Sequence, residues 1–380
     1  MFIFKPLAAA VLAVVATQAF AESNTARQDQ HGVLNTATIE QSGTGNSAKQ
    51  SHSGYANDVR LIQANSQAST AKQAQAGNYN AATVEQTDSA NAYSNQYQYG
   101  RNNQASVFQQ ASDSASANQS QTGTANEAEA EQLNTTQASS RITQNGNTNW
   151  AHTLQEGAVA SEVSVTQQGD SHTALLWQRD GSNNVATVTQ TGNDTSANIY
   201  QLDSQGSVAM LEVSGLSTSA YVTQRGVEQR AGVRIDGQNG GALVTQEGGY
   251  NEADTTQSGL SNSIDAYQTG EWQAVQMSQV GDYNIGTASQ TGMGNELYAD
   301  QAGNSNVFYA TQDGNDNILS ASTEGSLSEI TVGQQGDRNV AYVSQLSGSD
   351  NHITLQQTGT DLRVNLSQSG TGNRVNLIQQ

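Results

Sequence analysis

The stretch from Gln290 to Gln312 reads QTGMGNELYADQAGNSNVFYATQ and states one short phrase twice. Asn295, Leu297, Ala299 and Gln301 fall on alternate positions, as do Asn306, Phe308, Ala310 and Gln312. Glu296, Tyr298 and Asp300 lie between the first set. A period of two marks a strand with one apolar face and one wet face. A helix would scatter the same residues, since 11 residues make about three turns and do not preserve alternation. Four residues connect the strands, with Gly292 and Gly303 two places after the closing glutamine. Glycine suits that place because a positive φ is cheap only without Cβ.

Outward from this stretch the phrase Q-x-G-x-x-N-x5-Q recurs, as in Gln75-Gly77-Asn80-Gln86. From Gln75 a glutamine returns every 23 residues at Gln98, Gln121, Gln144, Gln167 and Gln190, and the series ends at Val213. From Val213 to Gln345 the step is 11, twelve times over. So strict a period means stacked copies of one small unit. Counted from Gln30, the register yields 31 segments with 124 inward positions, and none is Asp, Glu, Lys or Arg. Chance would put about 16 charges inward, against the steep cost of burying an unpaired charge. His52 and His172 are the inward histidines, in a glutamine and an asparagine slot respectively.

Each position in the phrase has a physical use. The central inward sites are mostly aliphatic, as in Val163/Val165 and Ile330/Val332; burying each larger one contributes roughly 1.5–3 kcal/mol. The closing site is Gln in 27 of 31 segments, and stacked amides satisfy donor and acceptor along the stack. Eight segments are one residue longer. Seven of those lack the glycine and carry Asn65, Asp88, Ala111, Asn134, Asp180, Asp203 or Ser347; Asn and Asp tolerate left-handed geometry next best. The expected fold is all-β: a flattened two-sheet parallel β-solenoid of about 15 strand-turn-strand-turn rungs, 22–23 residues each, spaced ~4.8 Å apart.

The stacking amides expected on this reading are Gln75, Asn80, Gln86, Gln246, Asn251, Gln257, Asn262, Gln268, Gln279, Asn284, Gln290, Asn295, Gln301, Asn306, Gln312, Asn339, Gln345, Asn373 and Gln379. The turn glycines are Gly77, Gly248, Gly259, Gly281, Gly292, Gly303 and Gly336.

Composition narrows the function. Thirty-four acidic against 14 basic side chains give a net charge of -20, which excludes a phosphate-binding basic face and with it nucleic acid. A 34% hydrophobic content would suit disorder, yet disordered chains keep no 11-residue register. With no Cys there are no disulfides. Met1 to Ala21 reads as a signal peptide: Lys5, an apolar run from Leu7 to Ala16, and an Ala19-Phe20-Ala21 cleavage site. The sole proline, Pro6, leaves with it, so no proline interrupts the ladder. Residues 22–29 read as a short leader and 30–380 as one run of repeats, with no later segment able to cross a membrane.

Neither end of the run shows a cap: Asn35 follows the leader, and the last strand runs from Asn373 to Gln379 with only Arg363 and Arg374 as outer-face gatekeepers. Uncapped rungs expose unpaired backbone groups and template further pairing, so the stack is expected to polymerise. Stacked acidic faces repel, which slows assembly at low salt and speeds it near the pI of 4.3.

Other readings are a non-polymerising adhesin, an ice-binding face and an enzyme on a β-helix scaffold. Ice faces need threonine rows, whereas the outward sites mix Tyr, Glu, Ser, Asp, Thr and Arg. Catalysis needs convergent charged or histidine groups, and His31, His52, His152, His172 and His352 form no metal-spaced pair. Gly314-Asn315-Asp316-Asn317 looks like a calcium repeat but lacks the nine-residue period. No catalytic residue, cofactor or metal is expected. Trp150, Trp177, Trp272 and most tyrosines fall on outward sites and are read as partners of neighbouring strands.

The tandem phrase behind a signal peptide resembles the curlin repeat of curli fibre subunits, across essentially all of the mature chain. The resemblance implies an extracellular functional amyloid of Gram-negative biofilms, involved in adhesion. It implies β-solenoid subunits that leave through an outer-membrane secretion pore and polymerise from a surface nucleator. The family's stacking amides map onto Gln246, Asn251, Gln257, Asn262, Gln268, Gln290, Asn295, Gln301, Asn306 and Gln312. Major subunit, nucleator and long accessory member all fit the resemblance, although familiar curlins have about five repeats. Family members also carry a secretion-targeting stretch where this chain has only Glu22 to Asp29.

Overall fold

Wherever the sequence alternates, the chain is strand, and wherever the four- or five-residue connector falls, it turns a corner. The computed structural model describes residues 13–14 and 23–380. Among them there is no helix. The chain forms two compact units, Met1–Asn183 and Asn184–Gln380, a division the repeat pattern does not announce.

Each unit is the expected two-sheet parallel β-solenoid. In the first, seven strands from Thr25–Val33 to Glu162–Asp170 form one sheet, and seven from Thr36–Thr44 to Thr173–Arg179 form the other. In the second unit nine strands from Val185–Asn193 to Arg363–Gln368 face nine from Ser196–Gln205 to Arg374–Gln379. Each strand pairs in parallel with the strand two places on, like residue beside like: Gln121 beside Gln144, Gly123 beside Gly146, Gln268 beside Gln290. The change of repeat length near Val213 is absorbed as one register shift, between Leu202 and Gln205.

The exclusion of charge from the inner face holds in three dimensions. No Asp, Glu, Lys or Arg is buried among the described residues, while His52 and His172 are. Covering comes from the layers on either side. Ile353 and Leu355 are 1% exposed, whereas Val375 and Leu377, one layer further along, are only half-buried.

The start of the repeats needs correction. Residues 25–29, expected in the leader, belong to the strand Thr25–Val33, which pairs with Ser47–Tyr55 in register. Asn24 takes the asparagine site, donating to the Gly43 carbonyl at 3.1 Å and accepting from the Asn46 N–H at 2.8 Å. Arg27 and Asp29 point outward as the alternation requires. This segment lacks a preceding Gln-x-Gly, which hid it. The expected cleavage site, Ala19-Phe20-Ala21, lies outside the described residues. Ala13 and Val14 form a short strand beside Thr38 and Ile39.

Corners follow the glycine rule and add to it. Gly77 has φ 121° and Gly303 φ 112°, and all seven residues that replace glycine have positive φ, from 49° at Ala111 to 88° at Ser347. A second left-handed residue, which the sequence reading missed, stands directly before the asparagine site, whether Asn or a residue such as Gln273 or Ser328 fills it. Tyr79, Thr148, Trp272 and Leu327 occupy it at 55–59°. Such a residue costs roughly 1–2 kcal/mol. An interlayer bond offsets the strain, as from the Tyr79 N–H to the Tyr55 carbonyl at 2.9 Å.

Candidate functional site: the interlayer amide ladders

Because the strands stack in register, most closing glutamines stand directly above another, where a primary amide both gives and receives. In the first unit Gln75 donates to Gln98 at 2.6 Å, Gln98 to Gln121 at 2.7 Å and Gln121 to Gln144 at 2.9 Å. Gln86 donates to Gln109 at 2.8 Å in the facing sheet. In the second unit one column runs unbroken from Gln201 to Gln379. Gln246, Gln268, Gln290 and Gln312 lie within it, and its bonds measure 2.7–3.1 Å. The other column joins Gln257, Gln279 and Gln301 at 3.3 and 2.8 Å, and stops where Thr323 takes the next place. Gln345 receives only a long 3.5 Å bond from the Thr323 hydroxyl. The second amide hydrogen goes to a backbone carbonyl of the facing strand, as from Gln290 to Ala274 at 3.0 Å.

Asparagines form a second kind of ladder at the corner. Asn80, Asn284 and Asn373 each donate Nδ2–H to the Oδ1 of the preceding layer's asparagine at 3.2 Å. That same oxygen accepts the backbone N–H of the next layer, as Asn262 from Asn284, Asn284 from Asn306 and Asn251 from Gln273. Asn295 Oδ1 accepts from the Asn317 N–H, Asn317 Oδ1 from the Asn339 N–H, and Asn339 Oδ1 from the Leu362 N–H. The remaining hydrogen caps a turn-glycine carbonyl one layer on, as from Asn306 to Gly325 at 3.0 Å. His172 fills an asparagine site, donating its backbone N–H to Asn149 Oδ1 at 3.0 Å.

The turn glycines form columns of their own. A Cβ on Gly77 would lie 1.9 Å from the Gly100 carbonyl oxygen, and one on Gly303 would lie 1.7 Å from that of Gly325. Gly248, Gly259, Gly281, Gly292 and Gly336 sit equally tightly beneath their successors. Glycine is thus required by the neighbouring layer as well as by φ.

One set of amides was not anticipated. Gln50, Gln73, Gln96 and Gln119 occupy a central inward site expected to be aliphatic, and donate each to the next at 2.9–3.0 Å. Their second hydrogens cross to Thr38, Arg60, Thr83 and Ser106 carbonyls on the facing sheet. The 23-residue spacing of these glutamines was the available signal. His52, between Gln30 and Gln75 in register, leaves both ring nitrogens without a hydrogen bond. Burial lowers its pKa, and Asp58 opposes that in part.

Outside, aromatic residues pair across layers as expected: Tyr250 stacks on Trp272 at 4.1 Å, and Tyr55 meets Tyr79 edge-on at 5.4 Å. Exposed ion pairs such as Arg338 with Asp361 at 2.8 Å add little stability.

The curlin associated repeat family model matches residues 160–192 and 328–359, which contain Gln167, Gly169, Gln178 and Gln190, and Gln334, Gly336, Asn339 and Gln345. Both stretches are thus similar to the curlin associated repeat. No curated protein sequence matches it. No helix among the described residues is long and apolar enough to cross a membrane.

Proposed function

We propose that this chain is a secreted, non-enzymatic structural protein that polymerises into extracellular curli-like amyloid fibres, contributing to biofilm matrix and surface adhesion. Its principal partner is itself. A curli-type nucleator and an outer-membrane pore are the further partners this reading brings. The single observation that carries it is the interchangeability of layers. Most layers present the same kind of row of backbone groups, glutamine amides and asparagine amides to the layer that follows, so another copy offers a complement like the chain's own next turn.

The test is assembly of the purified mature chain, followed by an amyloid dye and by fibre diffraction. Growth accelerated by preformed seeds, with a meridional spacing of about 4.8 Å, is the expected outcome. A β-rich protein that stays monomeric and ignores seeds would instead support the non-polymerising adhesin.

A further inference from the structure

Three carboxylates stand in a row on the outer face of the strand Glu127–Leu133: Glu127, Glu129 and Glu131. Residues two apart on a strand are about 7 Å apart and share a face, so these side chains repel. No Lys or Arg lies on the second sheet's strands Gln104–Gln110, Glu127–Leu133 or Trp150–Glu156 to offset them. Arg179, on Thr173–Arg179, faces Asp180 at 3.6 Å and covers the Trp177 ring.

What the next layer supplies is His152, directly beside Glu129 in the ladder. Its Nε2 lies 3.6 Å from Glu131 Oε1, is shielded from water and makes no hydrogen bond. Trp150 holds the ring edge-on at 5.9 Å. One ligand atom from each of Glu129, Glu131 and His152 lies within 4.8 Å of the others. Burial raises the Glu129 carboxyl above its ordinary value, with His152 opposing and Glu131 adding to the rise.

We propose that Glu129, Glu131 and His152 form a binding site for a divalent transition ion, Zn2+ in particular, which bridges two successive layers. One imidazole and two carboxylates suit this ion, with water in the open fourth position. Tetrahedral bonds of about 2.0–2.2 Å put ligand atoms about 3.4 Å apart. Rotation of the two glutamate side chains on the outer face closes the remaining distance.

His352 shows what such a site is not. It too meets two carboxylates, Glu329 at 3.3 Å and Asp350 at 3.8 Å, but these engage its two separate nitrogens. Arg374 also stands beside it in the ladder, so a fixed cation already serves that place.

The experiment is calorimetric titration of the full mature chain with Zn2+, and of the His152→Gln and Glu129→Gln chains, with Co2+ as a spectroscopic probe. One equivalent is expected for the parent chain. His152→Gln should abolish it, Glu129→Gln should weaken it at least about tenfold, and bound Co2+ should show a tetrahedral spectrum. Equal binding by the His152→Gln chain, or Ca2+ taken up as tightly as Zn2+, would reveal only diffuse attraction to an acidic surface and overturn the proposal. Should His152→Gln fail to fold, the parent's Co2+ spectrum decides: an octahedral, all-oxygen spectrum also overturns it. The result is independent of fibre growth.

Discussion

The two units fill the same column of the inner face differently: amides fill the first as far as Gln119, before Ile142 and Val165, while the second is mostly aliphatic. In the first, Gln50, Gln73, Gln96 and Gln119 stack through the centre of the layers; in the second, the equivalent places hold Leu211, Val233, Met277 and Val343. Backbone pairing is parallel and in register around both sets. Core chemistry therefore does not set the register. The corners and the closing amides, common to both units, do. An aliphatic column is stabilised residue by residue through burial. An amide column works only as a set, because each member satisfies the next.

The largest effect should come from the shared corners. Gly100→Ala would set a Cβ 2.0 Å from the Gly123 carbonyl oxygen, and Gly303→Ala one 1.7 Å from that of Gly325. Each should cost about 3 kcal/mol or more, by clash and by positive φ. Urea unfolding should give closely similar losses in the two units. A large inequality would return control of register to the core.

The next test separates the columns. Gln96 accepts from Gln73 and donates to Gln119 and to the Thr83 carbonyl, each at 2.9 Å. Gln96→Leu strands both neighbours and should cost about 2–3 kcal/mol. Changing all four glutamines to Leu removes the stranded partners and should cost less than the single change. Leu211→Ala, by contrast, should cost about 2–5 kcal/mol without such rescue. If the fourfold variant loses four times the single cost in the same urea measurement, the collective reading is wrong.

The smallest effect concerns His52, which interrupts the first unit's column of closing glutamines. Burial depresses its pKa, so its contribution is intact above the ordinary histidine range and is lost as pH falls through the lowered value. His52→Gln should stabilise by about 1 kcal/mol at neutral pH, and thermal melting should show the gain widening in acid. A constant gain would mean that the charge on His52 is immaterial.

Much of this was legible in one dimension. Strict alternation, the 11- and 23-residue steps and the absence of inward charge were enough for strands, corners and ladders. They also gave the Asx corners, down to Asp88 and Asp203. What escaped was of two kinds. The strand Thr25–Val33 and the Gln50 column depart from the commonest phrase while obeying its physics. The left-handed Tyr79 and Trp272 have no preferred residue type, because their strain is offset by backbone bonds that any side chain permits. Glu129, Glu131 and His152 meet only because 23 residues make one turn, so a search for ligands at close spacing along the chain passes over them.

The two ladders also run in opposite senses: glutamine passes its hydrogen toward the C-terminus, from Gln268 to Gln290, while asparagine passes its own back, from Asn284 to Asn262. Every layer therefore has a top unlike its underside. Turned over, it would meet its neighbour with glutamine N–H against N–H and asparagine oxygen against oxygen. Any filament of such layers is an arrow, and its two tips grow by different chemistry.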